Sequence, residues 1–267
     1  MENKITIIEV LRKDIFKGIN LFEAILFLFT SIIGFILFIL TITIWSNETD
    51  SSINLTNIIS NFLVLFDIPL GILAATFLSK KSRLAPLLLC LDAIFYGSAN
   101  FIAGQLALGF VNAILTPLIY IYAYLFVWPK RLSEEKNTEV NTKKLNWTSG
   151  MLLVLGILLV SISFAFLIPI INTSESDSGS FLVWFDSFAA SLMLFAVIMG
   201  TMRYREMWYL YFISNTLKII LFSVLVSQGE LDSILLLTLA TSYWINTIFG
   251  MAIWKDSEIQ TFNKNKK

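Results

Sequence analysis

The sequence predicts an all-α integral membrane protein with eight transmembrane helices, arranged as one N-terminal helix and a 3+1+3 core of parallel repeats. Three observations lead to this prediction. Of the 267 residues, 57% are hydrophobic and only 14% are charged, which is far from the usual balance of soluble domains. Eight stretches reach the roughly 20 apolar residues that a bilayer-spanning helix needs. Lysine and arginine are concentrated in alternate loops.

The predicted spans leave no room for a soluble domain. They cover residues 22–44, 55–78, 84–104, 106–127, 149–170, 181–201, 206–227 and 232–253. A transmembrane domain at 22–254 is thus flanked by an N-terminal segment, 1–21, and a tail, 255–267. The polar N-terminal segment is not followed by a small-residue cleavage site, so we expect the first span to be retained.

The positions of the basic residues predict the orientation. Every Lys and Arg except Lys218 lies in the N-terminal segment, in the tail, or in a loop after span two, four or six. The alternate loops at 45–54, 171–180 and 228–231 contain neither residue type. By the positive-inside rule, both termini and the basic loops face the cytoplasm.

A repeated hexamer indicates an internal duplication. FLVLFD at 62–67 and FLVWFD at 181–186 each open a block of three spans that contains a short basic loop and closes on a Trp near a Lys. This predicts repeat one at about 55–128, a linker helix at about 149–170 and repeat two at about 181–254. Because one span separates the blocks, the repeat is parallel, as in SWEET carriers, with a binding site expected between the repeats near mid-membrane.

Span seven carries the most informative polar pattern. Trp208, Tyr211, Asn215 and Lys218 are three, four and three residues apart and fall on one helical face. Such a stripe is able to stack on a flat molecule and to hydrogen-bond its edge. The candidate substrate-binding residues, all polar or amphipathic and at helical spacing within spans, are Trp208, Tyr211, Asn215, Lys218, Asp92, Tyr96, Asn100, Asn112 and Asn246. Thr116 and Tyr120 fall on the same face of span four as Asn112, and Ser242 on the same face of span eight as Asn246, so these residues could also line the cavity.

Each of these positions also has a structural interpretation. Trp208 follows a basic loop, so a place in the interfacial aromatic belt is as plausible as substrate stacking. The asparagines fit interhelical hydrogen bonding equally well. Lys218 and Asp92 fit a structural ion pair, and Asp67 and Asp186, the repeated aspartates, fit a role in tying helices together near the outer side.

Over roughly residues 55–256, the sequence resembles the PnuC family of bacterial vitamin and nucleoside transporters. The resemblance rests on the 3+1+3 layout and on two segments, RYREMWYLYFISN at 203–215 and INTIFGMAIWK at 245–255. The resemblance implies a SWEET-like fold in the bacterial cytoplasmic membrane, assembled as a homotrimer. It also implies substrate contacts at Trp208 and Asn215, with Tyr211 in the place of the family's second tryptophan.

The resemblance further implies facilitated diffusion of nicotinamide riboside for NAD synthesis, with thiamine, riboflavin or a deoxynucleoside as alternatives. A cytoplasmic kinase would trap the imported substrate without direct contact with the carrier. The sequence contains no His, one Cys and no Walker A motif, so no cofactor, metal site, catalytic residue or nucleic-acid partner is predicted. The competing class is an intramembrane enzyme or an assembly protein, but Asp67, Asp92, Asp186 and Glu206 form no catalytic motif in the sequence.

Overall fold

The computed structural model describes residues 21–47, 55–80, 82, 84–127, 143–171, 181–230 and 233–264. Within these residues the chain forms eight long helices: α1 Leu21–Asn47, α2 Leu55–Ser79, α3 Ala85–Ile102, α4 Leu106–Val127, α5 Trp147–Ile171, α6 Phe181–Thr201, α7 Met207–Ser227 and α8 Ser233–Lys264.

The predicted all-α fold class and its eight spans are confirmed, because all eight helices are long and apolar enough to cross a membrane. In the described part of the chain, β-structure is limited to one isolated bridge between Lys143 and Tyr204. The largest difference from the predicted bounds is in α8, which continues into the predicted tail as far as Lys264. Apart from Leu21, the predicted N-terminal segment lies outside the described residues.

Six of the helices form a closed ring. In ring order, α2, α3, α4, α6, α7 and α8 each pack against the next, and α8 packs back on α2. The other two helices lie outside the ring, with α1 against α2 and α8, and α5 against α6 and α4. Both are apolar on all faces and expose large side chains such as Phe29 and Leu152, as expected of helices that contact lipid. The internal duplication stays a prediction.

A carboxylate from α6 caps the first turn of α4. Asp186 Oδ2 accepts a hydrogen bond from Ala107 N at 2.8 Å, and Oδ1 accepts one from Leu108 N at 3.1 Å. The α4 N-terminus has no side-chain cap of its own, and its free N–H groups carry the positive end of the helix dipole. Asp186 therefore satisfies two buried donors and fixes α4 to α6, which confirms the prediction that this aspartate ties helices together.

Polar bonds also close the ring between α8 and α2. Asn246 Nδ2 donates to the Ile72 carbonyl at 3.3 Å, and Trp254 Nε1 donates to the Ser79 carbonyl at 3.0 Å. Both acceptors belong to α2, whereas both donors belong to α8. Asn246 is thus placed as an interhelical packing residue on the side of α8 that faces α2.

Helices α3 and α4 approach each other closely at Gly97. A Cβ atom at this position would overlap the backbone of Asn112 and Ala113 in α4. The absence of a side chain therefore sets the distance between the two helices, as small residues commonly do in membrane proteins.

We expect Gly97→Ala to destabilise the protein, because the added methyl group must push α4 away from α3. Overpacking of this kind lowers the free energy of unfolding by about 1–3 kcal/mol. Gly150→Ala is the matched control, since a Cβ there meets only Leu145 Cδ2 at 3.7 Å. Denaturant unfolding of both variants in detergent micelles measures the difference, and equal stability of the two would show that the contact is not tight.

Replacement of Asp186 tests the cap on α4. Asp186→Asn keeps the shape but loses the charge and one acceptor, and we expect a loss of about 0.5–2 kcal/mol in the free energy of unfolding, typical of a lost cap. Asp186→Leu leaves both N–H groups without an acceptor and is expected to cost more, about 1–3 kcal/mol for each donor. The same unfolding assay ranks the variants, and a leucine variant as stable as the asparagine variant would contradict the capping role.

Candidate functional site

A cavity of about 50 Å³ lies at the centre of the helix ring. All six ring helices contribute to its wall. The lining residues are Gly71, Ala75, Leu78, Leu89, Asp92, Thr116, Tyr120, Met193, Trp208, Tyr211, Asn215, Lys218, Tyr243 and Thr247. About 10–15 Å³ of such space holds one water molecule, so the cavity in this conformation has room for only a few waters.

The aromatic part of the wall is built around Trp208. The indole is only 2% exposed, and its ring centroid lies 6.0 Å from Tyr211 and 5.9 Å from Trp254. Gly250 admits the indole, because a Cβ there would overlap its six-membered ring. This buried position rules out the aromatic-belt interpretation of Trp208, since a belt tryptophan sits at the lipid surface. Among the described residues, Trp208 Nε1 has no hydrogen-bond partner.

Two tyrosine hydroxyls close the cavity between α4 and α7. The Tyr120 and Tyr211 hydroxyl oxygens are 3.0 Å apart and share one hydrogen bond. Tyr211 is the second aromatic residue of the predicted stripe, and Tyr120 is one of the residues of span four that the sequence predicted to line a cavity. The bond joins the two halves of the ring across its centre.

The polar part of the wall contains a buried lysine. Lys218 is 1% exposed, and its ammonium group donates to Asn215 Oδ1 at 3.4 Å and lies 4.0 Å from Met193 Sδ. The same group sits 4.9 Å from the ring centroid of Tyr96, within the range of a cation–π interaction. Within the described part of the chain, no ion pair joins Lys218 to a carboxylate at 4.0 Å or less. Lys218 and Asp92 therefore do not form the structural ion pair that was one interpretation of these residues.

Asp92 instead belongs to a carboxyl cluster organised by a tyrosine of α8. The Tyr243 hydroxyl donates to Asp92 Oδ1 and lies 3.4 Å from Asp67 Oδ2. The cluster joins α2, α3 and α8, so Asp67 also ties helices together, as predicted. Neither Tyr243 nor Thr247 was predicted from the sequence, although their spacing of four residues places both on one face of α8. The residue of α8 that was predicted, Asn246, lies one position before Thr247 and therefore on a neighbouring face.

The structure separates the nine candidate residues into two groups. Trp208, Tyr211, Asn215, Lys218 and Asp92 come together in the cavity wall. The others, which lie outside the wall, are Tyr96, Asn100, Asn112 and Asn246.

The amides of Asn100 and Asn112 are used within their own helices, donating to the carbonyls of Tyr96 at 2.7 Å and Leu108 at 2.8 Å. A π-helical turn at Val111–Leu115 explains why α4 departs from the predicted face. Its wider spacing takes Asn112 out of register with Thr116 and Tyr120, so only the latter two line the cavity.

The helix arrangement is that of a known transporter. The structure is similar to "Crystal structure of the Vitamin B3 transporter PnuC", with a TM-score of 0.68, 18% sequence identity and coverage of 92% of this chain and 95% of that chain. No curated protein matches the sequence. The chain therefore shares its fold with that protein.

The sequence places this transporter in a family. A family model described as Nicotinamide mononucleotide transporter matches residues 61–256. The chain belongs to this family, the PnuC transporters, and is a multi-pass membrane transporter. The resemblance stated from the sequence is confirmed, and a transporter class disfavours the competing interpretations as an enzyme or an assembly protein.

Removal of the Tyr243 hydroxyl tests the carboxyl cluster. Tyr243→Phe leaves Asp92 and Asp67 without their shared donor, and a buried acceptor that loses its partner costs about 1–3 kcal/mol. We expect the free energy of unfolding to fall by that amount, measured in detergent micelles. Tyr209→Phe is the matched control, because Tyr209 is 60% exposed. Equal stability of the two variants would mean that the hydroxyl does not hold the cluster.

Proposed function

We propose that this chain imports a vitamin or nucleoside precursor, with nicotinamide riboside as the first candidate for NAD synthesis, by facilitated diffusion. The observation that carries the proposal is the cavity enclosed by the six-helix ring, which has aromatic rings on one part of its wall and polar groups on another. A nucleoside has the same two parts, a flat ring that stacks and an edge that forms hydrogen bonds. The family membership supports transport as the activity of the cavity.

Unsatisfied polar atoms in the wall support a ligand at this place. Trp208 Nε1 and Thr116 Oγ1 are buried and have no hydrogen-bond partner among the described residues. Buried polar groups in native structures normally have partners. A bound substrate would supply them, while Tyr211 and Trp208 contact its ring.

The small volume of the cavity requires movement during transport. A nucleoside is several times larger than 50 Å³, so the wall must separate before a substrate enters. The Tyr120–Tyr211 bond is the contact between α4 and α7 that would have to open. We propose that the two repeats rock around the cavity, giving alternating access without any chemistry on the substrate.

Thiamine, riboflavin and deoxynucleosides are alternative cargoes, and the mononucleotide in the family description differs from nicotinamide riboside by a phosphate.

A homotrimer in the bacterial cytoplasmic membrane, with both termini inside, is part of the same proposal. So is a cytoplasmic kinase that traps the product without binding the carrier. Native mass spectrometry of the purified protein tests the trimer.

A thermal-shift screen on the purified full chain tests the function directly. A ligand that binds only the folded state raises its stability, by about 2.7 kcal/mol at a concentration of one hundred times Kd. Nicotinamide riboside, nicotinamide mononucleotide, thiamine, riboflavin and thymidine form the panel. A cargo that stabilises the protein should also equilibrate across proteoliposomes without an ion gradient, and no stabilisation by any compound would overturn the proposal.

Substitution of Trp208 tests the stacking contact. Stacking of an aromatic side chain on a base contributes about 1–3 kcal/mol, so Trp208→Ala should weaken binding by roughly five- to one-hundred-fold. Trp208→Phe keeps a stacking ring and should retain most of the affinity, which separates lost stacking from misfolding. Trp147→Ala is the matched control, since Trp147 is 84% exposed on α5. Unchanged affinity in a folded Trp208→Ala protein would show that the indole does not contact the substrate.

A further inference from the structure

Tyr96 lies between the central cavity and one end of the helix ring. It follows Asp92 by four residues on α3, about 6 Å further along the helix axis, and it is not part of the cavity wall. Its side chain is 1% exposed. This end of the ring is where α3 ends at Ile102 and α4 begins at Leu106. We call it the outer end, because the positive-inside rule predicts that it faces the outside.

The part of the ring between Tyr96 and the outer end is packed with apolar side chains. Six of them belong to the same buried cluster as Tyr96, and each is at most 3% exposed. These six residues, here called the outer plug, are Val64, Leu108, Leu221, Leu225, Leu235 and Leu239. They come from α2, α4, α7 and α8. The outer end is therefore closed in this conformation.

The cavity is closed differently at its other end. Trp208 and Tyr211 are the second and fifth residues of α7, whereas Lys218 is the twelfth of the 21 residues in this helix. The cavity thus extends from the middle of α7 to its first turn, where the bond between the Tyr120 and Tyr211 hydroxyls closes it. Access from the outer end requires a second opening, at Tyr96 and the outer plug.

Two ring contacts hold Tyr96 in place. The ring centroid lies 4.9 Å from the Lys218 ammonium group, within the range of a cation–π interaction. It lies 6.1 Å from the centroid of the Tyr243 ring in an edge-to-face arrangement, which is a favoured geometry for aromatic pairs. The Tyr96 hydroxyl has no hydrogen-bond partner among the described residues. The ring, and not the hydroxyl, therefore connects α3 to α7 and α8.

The other contacts of the Lys218 ammonium group leave the ring contact important. Its bond to Asn215 Oδ1 is long, at 3.4 Å, and Met193 Sδ lies at 4.0 Å. Asp92 is in the same wall, but it lies more than 4.0 Å from the ammonium group and accepts the hydroxyl of Tyr243. A cation over an aromatic ring is stabilised more strongly when both are removed from water. The buried Lys218 charge is therefore well placed to hold Tyr96 against α7.

We propose that Tyr96 is the outer gate of the cavity and that Lys218 holds this gate closed. When the outer end opens, the Tyr96 ring leaves the ammonium group, α3 separates from α7, and the outer plug parts. This inference rests on the proposed transport function, because alternating access requires an opening at each end of the cavity. It gives Lys218 a role in the movement of the protein, which is compatible with each of the proposed cargoes.

The same lysine connects the gate to the cavity. Asn215 Oδ1 accepts from Lys218, and both residues belong to the cavity wall. A ligand that donates to Asn215 Oδ1 competes with the ammonium group for this acceptor. Binding in the cavity would thus change the contacts of Lys218 and, through them, the stability of the closed gate.

Cysteine labelling of the purified full chain, in detergent micelles and without substrate, tests the gate. The one native cysteine is removed by Cys90→Ala, and Leu239→Cys places a reporter in the outer plug, where a water-soluble maleimide reacts only after the outer end opens. Tyr96→Leu or Lys218→Met should raise the labelling rate about two- to thirtyfold, the range implied by loss of a cation–π contact. Tyr96→Phe is the matched control: it keeps the ring and should leave the labelling rate unchanged.

Two further measurements separate opening of the gate from general loosening of the fold. Leu78→Cys places a second reporter in the cavity wall, one residue before the end of α2, and its labelling rate should not rise in the gate variants. The double variant with Tyr96→Leu and Lys218→Met should label at Leu239→Cys no faster than the faster single variant, because both changes remove the same contact. If one single variant does not fold, the other decides the test.

Three results would overturn the inference. An unchanged rate at Leu239→Cys in a folded Tyr96→Leu or Lys218→Met protein would place the gate elsewhere and leave the transport proposal intact. Faster labelling at both reporters would indicate loosening of the whole ring. Faster labelling in Tyr96→Phe would assign the effect to the hydroxyl. Failure of every compound in the thermal-shift screen would overturn the proposed function, but it would leave these labelling rates unaffected.

Discussion

Every polar group at membrane depth in this protein must find its partner within the protein, because the bilayer core contains no water to hydrogen-bond it. This constraint explains the main interhelical contacts. Asp186 satisfies the first turn of α4, Tyr243 donates to the carboxyl cluster, and Trp254 donates to a carbonyl at the end of α2. These bonds do more than compensate for burial, since each one joins two helices of the ring. In the cavity wall, Trp208 Nε1 and Thr116 Oγ1 have no partner among the described residues, which supports the proposal of a ligand there.

Residues of α7 were predictable from the sequence because a regular α-helix keeps its spacing. Trp208, Tyr211, Asn215 and Lys218 repeat at helical intervals, and all of them reach the cavity wall. The same logic failed for Asn112, because a π-helical turn shifts the register of α4 at a point that no local pattern revealed. It also failed for Tyr243, whose role depends on carboxyl groups from α2 and α3. Contacts between helices that are distant in the sequence depend on packing, so the periodicity of one segment does not predict them.

The fold class was easier to predict than the site. Bilayer thickness fixes the length of each span, so the bounds of α6 and α4 follow directly from hydropathy. The long continuation of α8 to Lys264 was not foreseen, because polar residues beyond the membrane carry no such constraint. A repeated FLV-x-FD hexamer correctly drew attention to Asp67 and Asp186, yet their different partners show that equivalent residues in similar blocks serve different neighbours.

Closure of the ring between α2 and α8 has a consequence for biogenesis. The bonds from Tyr243 to Asp67 and from Asn246 to Ile72 join the first helix of the ring to its last, and the bond from Tyr243 to Asp92 joins the last helix to the second. During synthesis the ribosome delivers α8 only after all the other helices have been made. Until then the two carboxyl groups have no hydroxyl donor from α8, and the half-made protein must shelter them from lipid by other means. Nascent chains that end before α8 are consequently expected to be recognised by membrane quality-control proteases.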